Sequence, residues 1–124
     1  MNGNVKENQE VSFDKNASAA SKELEVLRSA AAYLAAKPKV SYNPWPIYPD
    51  VVMEALHTLP ADYDYLEHHD LLENKPIASM NLDDIATMYT FIQRGERFCD
   101  GHIAGFIEDG TLYMLIQRHM ELLL

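Results

Sequence analysis

One stretch decides the fold of this chain: Asn81-Leu82-Asp83-Asp84-Ile85-Ala86-Thr87-Met88-Tyr89-Thr90-Phe91-Ile92. Asn81 followed by Asp84 resembles a capping box, with Asp in the place of Glu or Gln. The apolar residues after it recur at helical spacing and form one stripe, made of Leu82, Ile85, Tyr89 and Ile92. The stretch therefore predicts an amphipathic helix, for which Gly95 would be the C-terminal cap.

Helices are also predicted on both sides of this stretch. After it, apolar periodicity predicts one helix from about Glu96 to Glu108, with Phe98 on its buried side, and a last, nearly central helix from Thr111 to about Leu123. Before it, apolar runs that end near prolines predict three helices, near residues 21–36, 50–59 and 61–73. No strand pattern competes with them. The sequence thus predicts an all-α fold, a single compact bundle of about six helices.

The length and composition allow one domain. The 124 residues are 48% apolar, which places the chain in the globular class. Residues 1–20 are rich in polar side chains and lack a useful apolar period. We therefore expect a flexible tail over residues 1–20 and a helical domain over residues 21–124, with Ser21 as the cap of the first helix.

The charge argues against one class of partner. A net charge of -9 opposes the phosphate backbone, so direct binding of nucleic acid is not expected. A single cysteine and the lack of an apolar leader predict a cytoplasmic protein, and no apolar run reaches the roughly 18 residues of a membrane span. No phosphate-binding glycine loop or nucleotide fingerprint is present, so no cofactor is predicted.

The best candidate for a structured site is a group of charged residues between two apolar runs, made of Arg94, Glu96, Arg97 and Asp100. On a helix, Arg97 and Asp100 would lie at i,i+3 and could form an ion pair. One interpretation is an arginine-lined anion site near a helix N-terminus, whose free N–H groups attract phosphate or carboxylate. We prefer the other interpretation, a structural ion-pair cluster that locks the joint between two helices.

Two further segments carry packing predictions. Gly101 and Gly105 would each cost a helix about 1 kcal/mol relative to alanine, so we expect Gly105 to face a neighbouring helix at close range. Residues 42–49 combine three prolines with three aromatic side chains, which favours an extended connection. We expect Trp45 and Tyr48 to seal the edge of the core there, in preference to binding a peptide.

The strongest charge asymmetry lies between residues 50 and 73, where there are seven acidic residues and no Lys or Arg. These carboxylates form either a solvated face that confers solubility or a docking surface for a basic protein partner. We call them the acidic surface: Asp50, Glu54, Asp62, Asp64, Glu67, Asp70 and Glu73.

The histidines and the cysteine form no complete catalytic or metal set. Glu67-His68-His69-Asp70 resembles the His-Asp pair of metal-dependent phosphohydrolases of the HD type, but adjacent histidines on a helix point about 100° apart and do not chelate one ion easily. No metal site and no catalytic residue is therefore predicted. We expect Cys99 to be a small buried hydrophobe, His57 and His102 to lie on polar faces, and His119 to be a hydrogen-bonded core residue.

The C-terminal half resembles an uncharacterised family of small bacterial proteins. The resemblance rests mainly on Arg94-Gly95-Glu96-Arg97-Phe98-Cys99-Asp100-Gly101, within a match from Leu82 to about Met120, and less specifically on residues 48–54. It implies a helical fold and a bacterial or phage source. It implies no activity, and the N-terminal tail has no counterpart in it.

The small size, the negative charge and the lack of a catalytic set favour a non-enzymatic protein-interaction module that binds a partner, which could be basic, through the acidic surface. One alternative is a small anion- or nucleotide-handling protein that uses residues 94–100. Another is an acidic inhibitor or nucleic-acid-mimicking decoy from a mobile element. The sequence leaves enzyme activity and self-association open.

Overall fold

The computed structural model describes the backbone of residues 2–124 and the side chains of residues 19–124. Its α-helices are α1 (Asn2–Ala35), α2 (Asp50–Leu56), α3 (Tyr65–Leu71), α4 (Leu82–Gly95), α5 (His102–Glu108) and α6 (Thr111–Leu123). One turn of 3-10 helix (Ile77–Ser79) precedes α4. The predicted all-α fold with about six helices is confirmed.

The first helix begins earlier than predicted. Because α1 starts at Asn2, Ser21 lies inside the helix and does not cap it. Leu27, Ala30 and Leu34 are the buried residues of its C-terminal part and recur at helical spacing. A flexible tail was predicted for residues 1–20. Only Ala19 and Ala20 of this stretch have described side chains, so the tail stays a prediction.

The centre of the bundle is formed by α4 and α6. At the start of α4, the Asn81 side chain accepts the Asp84 N–H at 2.9 Å and the Asp84 carboxylate accepts the Asn81 N–H at 3.1 Å, so the predicted capping box is confirmed. The last helix packs against α1, α4 and α5. Of the nineteen buried apolar side chains among the described residues, ten lie on α4, α5 and α6, which therefore carry just over half of the core.

A small hairpin replaces part of the predicted extended connection. Strand β1 (Ser41–Tyr42) pairs in antiparallel fashion with β2 (Pro46–Ile47). Trp45 lies in the turn between the strands and is 66% exposed, so the prediction that it seals the core is wrong. Tyr48 packs against the core, as expected, because it directly follows β2 and points back to the bundle.

Three helices are shorter than predicted, and the first of them, α2, ends at Leu56 and not near residue 59. None of the residues of α3 is buried, and only Leu72, directly after it, belongs to the core. Residues 96–101 form turns and not the first part of α5, which leaves Phe98 84% exposed. Within the described part of the chain, no helix combines the length and the apolar character needed to cross a bilayer.

Candidate functional site

Glu96 organises the joint between α4 and α5. Its carboxylate accepts hydrogen bonds from the Tyr48 hydroxyl at 2.9 Å, the Gly101 N–H at 2.9 Å and the Ile103 N–H at 2.8 Å. Gly101, with a φ of 88°, takes the left-handed conformation that suits glycine and directly precedes α5. The carboxylate therefore caps the N-terminus of α5, where free N–H groups favour negative charge.

Tyr48 ties the hairpin to the same helix end. Its hydroxyl donates to Glu96 and accepts the Ala104 N–H at 3.1 Å. Burial and the bond to Glu96 raise the pKa of Tyr48 well above its ordinary value of 10.0, so the hydroxyl remains a donor. Burial alone would raise the pKa of Glu96, but its bonds to Ile103, Gly101 and Tyr48 lower that pKa below the ordinary 4.5. Glu96 is thus ionised at neutral pH.

The predicted ion-pair cluster is not formed. Among the described residues, neither Arg94 nor Arg97 forms an ion pair, and Arg97 and Asp100 lie in turns and not on one helical face. The physical reason is that the end of α5 takes the Glu96 carboxylate, which the arginines would otherwise bind. The helix N-terminus that the anion-site interpretation invoked is also occupied, by Glu96 and Tyr48.

Arg94 is held by two aromatic rings. Its guanidinium carbon lies 5.5 Å from the Tyr63 ring centroid and 5.4 Å from the Tyr65 ring centroid. The π-electrons on the face of an aromatic ring attract a cation such as the guanidinium. These ring contacts leave the edge of the guanidinium, where its N–H groups point, available for a planar anion.

A cavity of about 460 Å³ lies beside these arginines, and we call it the arginine cleft. Part of its lining is apolar, namely Met53, Leu56, Leu59, Ala61 and Ile103. The rest is polar or charged, namely Tyr48, His57, Thr90, Gln93, Arg94, Glu96 and Arg97. The cleft contains two arginines against one glutamate, so it is cationic in a chain of net charge -9. Its volume lies within the roughly 300–1,000 Å³ of small-molecule sites.

Gly95 allows close packing at the end of α4. A Cβ on this residue would collide with the His102 ring. The ring donates from Nδ1 to the Ile92 carbonyl at 2.9 Å and meets Phe91 and Phe106 edge-on, at centroid distances of 5.3 and 5.1 Å. His102 is therefore partly buried and not on a polar face. Gly95 is the last residue of α4 and Glu96 is the C-cap, so Gly95 is not the predicted C-terminal cap, and its role is close contact.

Two other predicted packing positions are exposed. Apart from its chain neighbours and the backbone of its own helix, no atom of the described residues lies within 4 Å of the place where a Gly105 Cβ would be, and Cys99 is exposed to solvent. The predictions that Gly105 faces a helix and that Cys99 is buried are therefore wrong. The helix α5 starts only at His102 and turns Ile103, Ala104 and Ile107 to the core, which leaves Gly105 outside and Cys99 in the preceding turn.

His68 and His69 make separate contacts. His68 Nδ1 lies 2.7 Å from the Asp62 carboxylate, and this hydrogen bond raises the pKa of His68. The His69 ring stacks on Phe91 at a centroid distance of 3.7 Å. Over the described residues, no group of three or more potential ligands is placed to hold a metal ion.

Six residues of the acidic surface are exposed, and the exception is Asp62. Asp62 accepts the Thr87 hydroxyl at 2.6 Å and the Asp64 N–H at 3.0 Å. Burial alone would raise the pKa of Asp62, but the hydrogen bonds from Thr87, His68 and Asp64 lower it. Asp62 therefore holds the segment before α3 to α4, while the other six carboxylates face solvent.

His119 is a core residue, as predicted. Its side chain is fully buried, with Nδ1 2.9 Å from the Tyr89 hydroxyl and Nε2 2.9 Å from Glu23. Burial lowers its pKa, although the bond to Glu23 acts in the opposite direction. The network joins α1, α4 and α6. His57 is exposed, as predicted, and its Nδ1 lies 2.7 Å from the Met53 carbonyl.

Several residues of the arginine cleft were not predicted from the sequence. Tyr48 carried a signal, since it was expected at the edge of the core, but nothing in the sequence linked it to Glu96, 48 positions away. Gln93 carried none. Its side chain donates to the Leu56 carbonyl at 2.9 Å, a contact across 37 positions. Asp100, predicted with the arginines, does not line the cleft.

Comparison with known proteins places the chain in a family without giving it an activity. No curated protein and no solved structure matches it. Residues 24–123 match a family of unknown function, DUF6508. Because the match spans most of the chain, the protein belongs to that family.

Proposed function

We propose that this DUF6508 protein binds a small organic anion in the arginine cleft, with Arg94 and Arg97 as the anion-binding residues. One observation carries the proposal: the end of α5 takes the Glu96 carboxylate, and Arg94 and Arg97 then line a cavity without an ion-pair partner among the described residues. Two neighbouring cations repel each other. An anion that enters the cleft would relieve this repulsion.

The position of Arg94 supports the proposal. Because Tyr63 and Tyr65 fix the guanidinium through ring contacts, less side-chain entropy is lost when an anion binds. Two parallel N–H groups of one guanidinium match the two oxygens of a carboxylate or phosphate. Arg97 is exposed and supplies a second charge at the cleft.

Thermal shift and calorimetric titration with hexanoate, benzoate and isopentyl phosphate test this proposal. A ligand at about 100 times its dissociation constant should add roughly 2.7 kcal/mol to the free energy of unfolding. Arg94→Gln and Arg97→Gln should weaken binding, whereas Arg28→Gln, on the exposed side of α1, should not. An absence of binding by all three probes, or equal loss in the Arg28 control, would contradict the proposal.

A second candidate function rests on the acidic surface. Six of its seven carboxylates are exposed, and the structure describes no ion pair for any of the six. We propose that this face binds a basic protein segment. Titration with a lysine-rich peptide should show affinity that falls as salt rises. Glu67→Gln with Asp70→Asn should weaken it more than Glu25→Gln with Asp100→Asn, and equal loss would contradict a local docking surface.

The source and location of the protein are also proposals. The block of residues 94–101 supports a bacterial source, through the resemblance stated above. A chain with a single cysteine cannot form an internal disulfide, and proteins without disulfides are typical of the cytoplasm. The cysteine content therefore supports a cytoplasmic location.

A further inference from the structure

The arginine cleft also contains a fixed hydrogen-bond acceptor. The Gln93 side-chain amide donates to the Leu56 carbonyl at 2.9 Å and to the Tyr89 carbonyl at 3.3 Å. These bonds use both protons of the amide nitrogen and set its orientation. The amide oxygen accepts from no group among the described residues. Gln93 lines the cleft, and among the described residues no partly or fully buried side chain has a polar atom that is both solvent-inaccessible and without a partner, so this oxygen is accessible to a hydrogen-bond donor.

The apolar part of the lining favours a ligand with an apolar group. Met53, Leu56 and Leu59 come from α2 and the turn after it, and Ile103 comes from the first turn of α5. Burying one methylene group there would strengthen binding about fourfold. Acetate or inorganic phosphate would leave this surface unused.

The charges favour a single negative charge on the ligand. Arg94 and Arg97 attract an anion, but Glu96 also lines the cleft and the whole chain has a net charge of -9. The N–H groups at the start of α5, which often hold phosphate, are already bonded to Glu96 and Tyr48. One negative charge balances the two arginines and one glutamate of the cleft, whereas the second charge of a phosphate ester would be left over in a chain that is already acidic.

We infer that the ligand is a small monocarboxylate with an apolar side chain and one N–H donor, of the kind found in an N-acylated hydrophobic amino acid. Its carboxylate binds Arg94 and Arg97, its side chain contacts the apolar lining, and its N–H donates to Gln93. This inference rests on the proposed anion-binding function and specifies the ligand for the same cleft.

Calorimetric titration of the full-length chain with four related compounds tests the inference. The reference is N-acetyl-leucine. The acetate ester of 2-hydroxy-4-methylpentanoate replaces the N–H by an oxygen, N-acetylglycine lacks the apolar side chain, and N-acetyl-leucinamide lacks the charge. We expect the ester to bind roughly tenfold more weakly, because its oxygen cannot donate to Gln93. N-acetylglycine should bind on the order of 100-fold more weakly, and the amide should not bind measurably.

The variant Gln93→Met should weaken binding of N-acetyl-leucine to the level of the ester while leaving the ester unchanged. The comparison of compounds on the unmodified chain keeps the inference testable if this variant is unstable. Equal affinity for N-acetyl-leucine and its ester would overturn the role of Gln93, and tighter binding of isopentyl phosphate would overturn the preference for a monocarboxylate. In both cases binding that depends on Arg94 would leave the proposed function standing. If none of the anions binds, both fail.

Discussion

Glu96→Ala should be one of the most destabilising substitutions at the joint between α4 and α5. It removes the acceptor for the Tyr48 hydroxyl and for the Gly101 and Ile103 N–H groups. A hydrogen bond to a charged group contributes about 1.5–3 kcal/mol, but three bonds that share one half-buried carboxylate do not add fully, since water replaces part of them. We therefore expect a loss of about 2–4 kcal/mol.

Urea denaturation at pH 7, followed by circular dichroism, measures this loss as a lower midpoint at an unchanged slope. Asp100→Ala is the matched control, since Asp100 is exposed and its carboxylate has no hydrogen-bond partner among the described residues; its effect should stay within about 0.5 kcal/mol. Because the pKa of Glu96 is lower in the folded chain than its ordinary 4.5, its contribution is present above pH 4.5 and is lost as the pH falls through the folded-state pKa. A Glu96→Ala loss no larger than that of the control would refute the capping role.

Three further predictions concern packing and pH. Gly95→Ala should lower the free energy of unfolding by about 1–3 kcal/mol in chemical denaturation, because the new Cβ collides with His102. Combining it with His102→Ala should recover part of that loss, and additive effects of the two substitutions would argue against the contact. Gly105→Ala, at an exposed helical position, should instead stabilise the chain by about 0.5–1 kcal/mol, and a loss would mean that the position is packed. Because the pKa of His119 is lowered in the folded chain, its contribution to stability is complete above its ordinary 6.5 and is lost as the pH falls toward the folded-state pKa. Unfolding curves between pH 7 and pH 5 should show a steeper decrease for the wild type than for His119→Gln, and parallel decreases would contradict this.

The parts of the fold that follow local rules could be predicted from the sequence. The capping box of Asn81 and Asp84 depends on four consecutive residues, and the stripe from Leu82 to Ile92 depends on one helical period. The last helix, with glycine before it and apolar residues on one face, begins and ends where the sequence places it. Each of these features is settled within a few turns of one helix.

The candidate site could be predicted only in part, because its geometry depends on distant partners. Sequence spacing suggested that Arg97 pairs with Asp100. In the structure, Glu96 bonds instead to Ile103 and, across 48 positions, to Tyr48. The helix α4 ends at Gly95, and residues 96–101 lie in turns. This break also explains why Phe98 and Cys99 are exposed. The sequence identified Arg94, Glu96 and Arg97 as charged neighbours, and only the fold shows that Glu96 bonds to Tyr48 and the start of α5 and not to either arginine.

The pKa of Glu96 tests most directly whether this carboxylate bonds to Tyr48 and α5 or pairs with an arginine. A carbon-13 NMR titration of its carboxyl group should be made on the wild type, on Tyr48→Phe and on Arg97→Gln. We expect the pKa of Glu96 to lie below 4.5 in the wild type, to rise in Tyr48→Phe because one donor is lost, and to change little in Arg97→Gln. An unchanged pKa in Tyr48→Phe together with a clear rise in Arg97→Gln would show that Glu96 pairs with the arginine, and would contradict the free arginines on which the anion site depends.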